Sequence, residues 1–203
     1  HVRRTPTLQE AKPAGRVPRP FVRRPSPAAR DSEWPASCVP EGPMALKVEK
    51  LPRARRASPP TRVDPMLATL HQNPFSDPGW IYERKLDGER CVVIKHGHKV
   101  RIFSRNQQEL SDTYPELADA FERQSVDFIA DRELVTFRGQ VTSLSRLQGR
   151  MKIRDRDKAR ASGIPVFCYL FDLIHLSGFD LRRTPLRTRK QVLRSLLKFA
   201  DPI

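Results

Sequence analysis

Large apolar side chains are sparse before Val63 and fall into regular runs after it. Residues 80–85, beginning Trp80-Ile81-Tyr82 behind an Asp77-Pro78-Gly79 turn signal, read as a strand. Residues 91–95 and 100–104 read as two more, and His96-Gly97-His98 between them predicts a hairpin with Gly97 in the turn. Leu117, Ala118 and Phe121 recur at helical spacing within 115–124, with Pro115 suited to the first turn. Residues 128–137 are strand-like, with a polar break at Asp131-Arg132. Leu144, Leu147 and Met151 place a short helix over 143–151, while the charged stretch 154–160 fits a helix or a loop. Residues 165–174 have the texture of a buried strand. Leu186, Leu193, Leu196 and Leu197 form the apolar face of a helix over 186–199. Strands and helices are interspersed, several connections are tight, and no internal repeat is visible. The expected fold class is α/β, of the α+β kind, with helices flanking an antiparallel sheet.

Composition changes this picture at one end. Of the 203 residues, the first 62 carry 14 Lys/Arg against 5 Asp/Glu, 12 of the 19 prolines, and only Phe21 and Trp34 as aromatics. So little apolar surface does not offset the entropy of ordering, so 1–62 is expected to be a disordered, Pro/Arg-rich basic tail and 63–203 the folded part. The tail would either add phosphate affinity through counterion release or act as a linker. Met44 is the first methionine and a plausible start. The net charge of +15 favours polyanionic partners such as nucleic acid or nucleotide phosphates. No apolar run approaches the ~18 residues of a membrane helix, and no secretory signal is visible. Three cysteines without a CxxC argue against a disulfide framework or zinc cluster and for a reducing cytoplasm. Cys91 and Cys168 sit in apolar strands and read as buried, inert thiols; His96 and His98 read as a solvated turn.

The chemistry concentrates in Glu83-Arg84-Lys85-Leu86-Asp87-Gly88-Glu89-Arg90. A lysine at a strand end, an Asp-Gly turn and an arginine make a plausible nucleophile site. Neighbouring cations, here Arg84 and Arg90, together with exclusion of water, favour the neutral amine that attacks. Asp87 is placed to orient that amine or relay its proton, Gly88 to let backbone approach a ligand, and Arg90 to hold a phosphate or ribose oxygen.

These residues match K-x-D-G-x-R, and the segment resembles the covalent nucleotidyltransferases: ATP-dependent DNA ligases, RNA ligases and mRNA capping enzymes. Later segments follow in the same order. Ser104-Arg105-Asn106 before Tyr114-Pro115-Glu116-Leu117, then Asp131-Arg132-Glu133-Leu134-Val135, Leu147-Gln148-Gly149-Arg150, Phe171-Asp172 and Pro185-Leu186-Arg187-Thr188-Arg189 are similar to the ligase motifs over about 63–200. Bacterial ligases of the end-joining type are the nearest resemblance. It implies an incomplete nucleotidyltransferase domain (ATP-grasp-like ligase adenylation fold) with antiparallel sheets and flanking helices. It implies that Lys85 attacks the α-phosphate of ATP and carries AMP. Glu83 would recognise the adenine edge, and Arg90 and Arg105 would contact ribose or phosphate. Glu133 would bind ribose or a divalent metal, Phe171 would stack on adenine, and Asp172 would support the metal or the strand end. The implied cofactors are ATP and Mg²⁺ (or Mn²⁺). The implied partners are nicked or broken duplex DNA and end-joining proteins, with a monomer acting in the bacterial cytoplasm at the nucleoid.

Two departures matter. Arg132 stands where the family's D-G-E has glycine; it either displaces Glu133 or points outward as an ordinary strand residue. The chain ends at Ile203, before the family's later lysine-bearing motifs and its oligonucleotide-binding fold, so the resemblance implies the N-terminal part of an adenylation domain. An RNA ligase, a capping guanylyltransferase, and a catalytically inactive DNA-binding remnant remain alternative readings.

Overall fold

In a computed structural model, the described residues are 47–67, 69, 75–198, 202 and 203. The predicted hairpin is the nucleus of the sheet. β2 (Glu89–His96) and β3 (Lys99–Ser104) pair antiparallel, with Gly97 at φ +57° in the turn. After β1 (Arg55–Arg56), the other strands are β4 (Phe128–Val135), β7 (Phe167–Leu176) and β8 (Phe179–Asp180); the six form one antiparallel sheet in the order β1-β8-β7-β4-β2-β3. β5 (Phe137–Arg138) and β6 (Val141–Thr142) make a small separate hairpin.

Alternation along these strands gives the sheet two different faces. Cys91, Val93, Ala130, Leu134, Cys168 and Leu173 face the main core. There they meet α1 (Pro115–Glu122) through Leu117 and Phe121, α2 (Leu144–Met151) through Leu147, and α4 (Leu186–Leu196) through Val192 and Leu193. On the opposite face Val63, Val92, Ile129 and Ile174 form a small apolar cluster. The polar residues Arg90, Asp131, Glu133 and Asp172 lie on these same strands. The 154–160 stretch becomes α3 (Arg156–Ala161), capped by Asp155, whose Oδ1 accepts from Lys158 N at 2.9 Å.

Three expectations need correction. Residues 80–85 are not a strand: they pair with no strand among the described residues, and Trp80 and Tyr82 are exposed. The apolar residues there offer no face to a neighbouring ladder. The folded part begins before Val63, because 47–62 pack into it. Val48 is buried, Arg55 and Arg56 pair with Asp180 and Phe179, and Ala57 O is 2.9 Å from Nε2 of the buried His175. Backbone hydrogen bonds, the buried Val48, Leu51 and Ala54 against the core, and Arg56 over the Phe179 ring hold this segment, so its poverty in aromatics is no guide. Residues 1–46, the rest of the expected tail and including Met44, lie outside the described residues. Finally, the last helix stops at Leu196 rather than 199.

Candidate functional site

Glu83, Arg84, Lys85, Leu86, Arg90, Glu133, Tyr169 and Phe171 line one cleft of about 440 Å³. A second cleft of about 760 Å³ shares Arg90 and Glu133 and adds Arg105, Asn106, Gly88 and Ser104. Six of the eight sequence-predicted residues thus converge: Glu83, Lys85, Arg90, Glu133 and Phe171 in the first cleft, and Arg105 in the second, joined through Arg90 and Glu133.

The sheet register explains this convergence. Arg90 of β2 lies opposite Glu133 of β4. On β7 the register slips between Asp131↔Asp172 and Arg132↔Leu170, so Phe171 is an extra residue with no partner on β4. The bulge turns the half-buried Phe171 ring into the cleft instead of the core, and the Arg90 guanidinium lies 5.1 Å from its centroid. Gly88 lies where β2 begins, and a Cβ there would sit 2.0 Å from Leu134 O. Close passage of two backbones is therefore the reason for glycine in the Asp-Gly pair.

Lys85 is exposed at the cleft wall, and its amine makes no hydrogen bond or ion pair with the described residues. Two sequence assignments change. Asp87 does not orient Lys85: its Oδ2 accepts from Leu144 N at 3.1 Å, at the start of α2, and its own N–H donates to Thr142 Oγ1 at 3.0 Å. Asp87 fastens the motif to α2. Arg90 does not act as a free cation beside the lysine, because Asp131 holds it in a two-point pair at 3.1 and 2.6 Å. Burial raises the Asp131 carboxyl, and the Arg90 contact pulls it down. Burial likewise holds the Glu133 carboxyl above its ordinary value, against the lowering effect of Arg90.

Asp172 is also not available as a metal ligand. Arg189 grips both its oxygens, at 2.7 and 2.8 Å, and it lines a different cleft from Glu133. It supports the strand end against α4. No group of three or more metal-type side chains occurs among the described residues. Of the two predicted metal ligands, only Glu133 fits a cation that would arrive already bound to phosphate oxygens.

Arg132 meets neither expectation. It is fully buried, with Nε 3.2 Å from Cys91 Sγ, Nη1 3.6 Å from Cys168 Sγ and the guanidinium 4.7 Å from the Phe121 ring centroid. It does not point outward. Nor does it occupy a glycine conformation, since among the described residues the non-glycine positions at positive φ are Arg53, Gln107 and Ser177. Alternation sends its side chain to the helix side and Glu133 to the cleft, so Glu133 keeps its place. The expected inert thiols are there: Cys91 and Cys168 are free and buried.

Sequence reasoning missed three contributors. Asp131 anchors Arg90, Tyr169 stands opposite Glu133 in the cleft, and Lys190 of α4 forms an ion pair with Glu83. Strand alternation pointed to Asp131, two residues before Glu133. Nothing local pointed to Lys190, 107 residues from its partner.

An exposed lysine in a K-x-D-G-x-R segment, a ring at the cleft wall and flanking cations have the chemistry to receive a nucleotide and present a nucleophile to it. The chain belongs to the ATP-dependent DNA ligase domain family, whose model matches residues 65–202. It is 36% identical over 120 residues to a probable DNA ligase of Opitutus terrae, covering 58% of this chain and 12% of that protein. It is 30% identical over 145 residues to the bifunctional non-homologous end joining protein LigD of Bacillus subtilis, covering 66% of this chain and 24% of the relative. The crystal structure of the ligase domain of M. tuberculosis LigD aligns with 56% of this chain and 36% of that one, at 27% identity and a TM-score of 0.48. The chain spans about a quarter or less of the length of these curated relatives. No helix among the described residues is long and apolar enough to cross a membrane.

Proposed function

We propose that this chain carries the nucleotide-charging site of an ATP-dependent DNA ligase. Nζ of Lys85 attacks the α-phosphorus of ATP through its lone pair once the ammonium has given up a proton to solvent. A P–N bond forms, the bond to the bridging oxygen breaks, pyrophosphate leaves, and the amine proton passes to solvent. The AMP carried on Lys85 is then passed to the 5′-phosphate at a break in duplex DNA by the complete enzyme. The observation that carries this reading is the convergence on one cleft of Lys85, Glu83, Phe171, Arg90 and Glu133. Phe171 offers a flat apolar face to a purine. Glu133 offers a carboxylate to ribose hydroxyls, and the exposed Arg84 and Arg105 offer cations to phosphates. Mg²⁺ (or Mn²⁺), entering with the triphosphate, would neutralise charge on the leaving pyrophosphate.

The test is incubation with α-labelled ATP and divalent metal, followed by a denaturing gel. Wild-type chain should retain label; Lys85→Ala and Lys85→Arg should not, because the first lacks the amine and the second keeps a protonated guanidinium. Undiminished label in Lys85→Ala would refute the assignment. Duplex DNA with a nick or a broken end, end-joining partners, a monomeric state and a nucleoid location belong to the same proposal.

A further inference from the structure

We infer that Lys190 is a positioning residue that aims Glu83 at the base and thereby selects adenine over guanine; this rests on the nucleotide-charging reading above. Glu83 lies in 81–87, which pairs with no strand among the described residues, so something else must fix it. Helix α4 does so with side chains. Arg187 Nη2 donates to Pro78 O at 2.9 Å and to Trp80 O at 3.3 Å, holding the chain upstream. Lys190 Nζ then donates to Glu83 Oε1 and, at 2.6 Å, to Phe171 O. One ammonium thus joins the two walls of the cleft, the segment bearing Glu83 and Lys85 and the bulge bearing Phe171.

The side chain of Lys190 is only 14% exposed, against 49% for Glu83. The cation is the fixed element and the carboxylate is the one it aims. With Oε1 occupied, Oε2 remains for a donor inside the cleft. Adenine presents an exocyclic amine, a donor, where guanine presents a carbonyl oxygen, an acceptor. A carboxylate kept charged and oriented by Lys190 accepts from the first and repels the second. Without Lys190, an exposed glutamate on an unpaired segment has no reason to hold that orientation.

The experiment uses the full chain in four forms: wild type, Lys190→Met, Lys190→Arg and Lys85→Ala/Lys190→Met. Lys190→Met keeps an unbranched aliphatic side chain on α4 without the ammonium, and a thermal melt confirms folding of each. Equilibrium binding of ATP and GTP is measured alongside initial rates of covalent labelling. Lys190→Met should weaken ATP about tenfold or more, raise the KM for ATP with little change in kcat, and narrow the preference for ATP over GTP by a similar factor. Lys190→Arg keeps the donors and should recover most of the preference. An unchanged ATP-to-GTP ratio in Lys190→Met, or equal weakening of both nucleotides, would overturn the inference. Binding with the expected ratios but without label on Lys85 would overturn the nucleotide-charging reading and leave the assignment of Lys190 standing. A wild type that binds neither nucleotide would overturn both.

Discussion

Replacing Arg132 with methionine should make the protein more stable, although it removes the largest fully buried side chain of the core. The guanidinium has no carboxylate partner among the described residues, and its Nη2 has no hydrogen-bond partner. Its neighbours are two sulfurs, which are weak acceptors, and the Phe121 ring. Burial pushes the Cys91 thiol up to about 12 against the opposing pull of Arg132, so at neutral pH this sulfur is no anion. A desolvated cation over a ring gains about 2 kcal/mol. Taking the cation out of water costs several kcal/mol, and an unmet charged donor adds about 1–3 more. Methionine fills much of the same path, places its own sulfur near Phe121 and needs no donor partner. A net gain of about 1–3 kcal/mol follows, which for a domain of this size raises the melting temperature by about 2–4 °C per kcal/mol. Arg150 is the internal control. It is equally buried but bonds Glu116 at 2.8 and 2.6 Å, Thr113 O at 3.0 Å and Ser162 Oγ at 3.0 Å, so Arg150→Met should cost about 3–5 kcal/mol. Urea unfolding of the two variants, with the wild type, reads both signs. Loss of more than about 1 kcal/mol in Arg132→Met would refute the reasoning and show that a thiolate–guanidinium pair holds the site.

Three further outcomes follow from single contacts. Gly88→Ala places a Cβ 2.0 Å from Leu134 O and 2.9 Å from Val135 Cγ1, so it should lower stability by about 1–3 kcal/mol or more in thermal unfolding; a melt within a degree of wild type would contradict that approach. Burial raises the Glu89 carboxyl above its ordinary value of 4.5, outweighing the hydrogen bond from Tyr114, so its stabilising contribution is full below that value and is lost as pH rises through the folded one. Glu89→Gln should therefore gain on the wild type as pH rises above that ordinary value in urea unfolding, and a gap that shrinks as pH rises would reverse the sign. A chain starting at Val63 should melt well below one starting at Lys47, since it loses Val48, β1 and the carbonyl that meets His175; equal melting temperatures would return 47–62 to the tail.

The parts of the fold legible in the sequence are those whose pattern is local. The hairpin around Gly97, the Pro115 helix and the Ser143 helix each carry their own turn or cap, and they stand within a residue or two of expectation. The site residues follow from motif order, and the fold does bring Lys85, Glu83 and Phe171 to one cleft. Their partners were not legible, because pairing is a property of register. Arg90 meets Asp131, Arg189 meets Asp172 and Lys190 meets Glu83 only after β2, β4, β7 and α4 have taken their places. Arg132 was misread for a related reason. A charged residue in a strand usually faces water, and the alternation that sends Glu133 to the cleft leaves Arg132 no other side.

Pairing also sorts the cations by task. Arg90 and Arg189 are each held at two points by a carboxylate, and a phosphate competing for either would have to displace a charge-assisted bond. Lys85, Arg84 and Arg105 have no ionic partner among the described residues and stand at the two clefts that meet at Glu133. The paired arginines therefore set the shape of the sheet's polar face, and the unpaired cations set its charge. A polyanion entering the clefts meets three positive groups whose only competitor is water, so its binding releases counterions and weakens with salt. Neutralising Arg84 or Arg105 should flatten that salt dependence without moving the melting temperature, whereas Arg189→Ala should do the reverse. Measured together in one salt titration and one melt, the two classes separate the framework from the site.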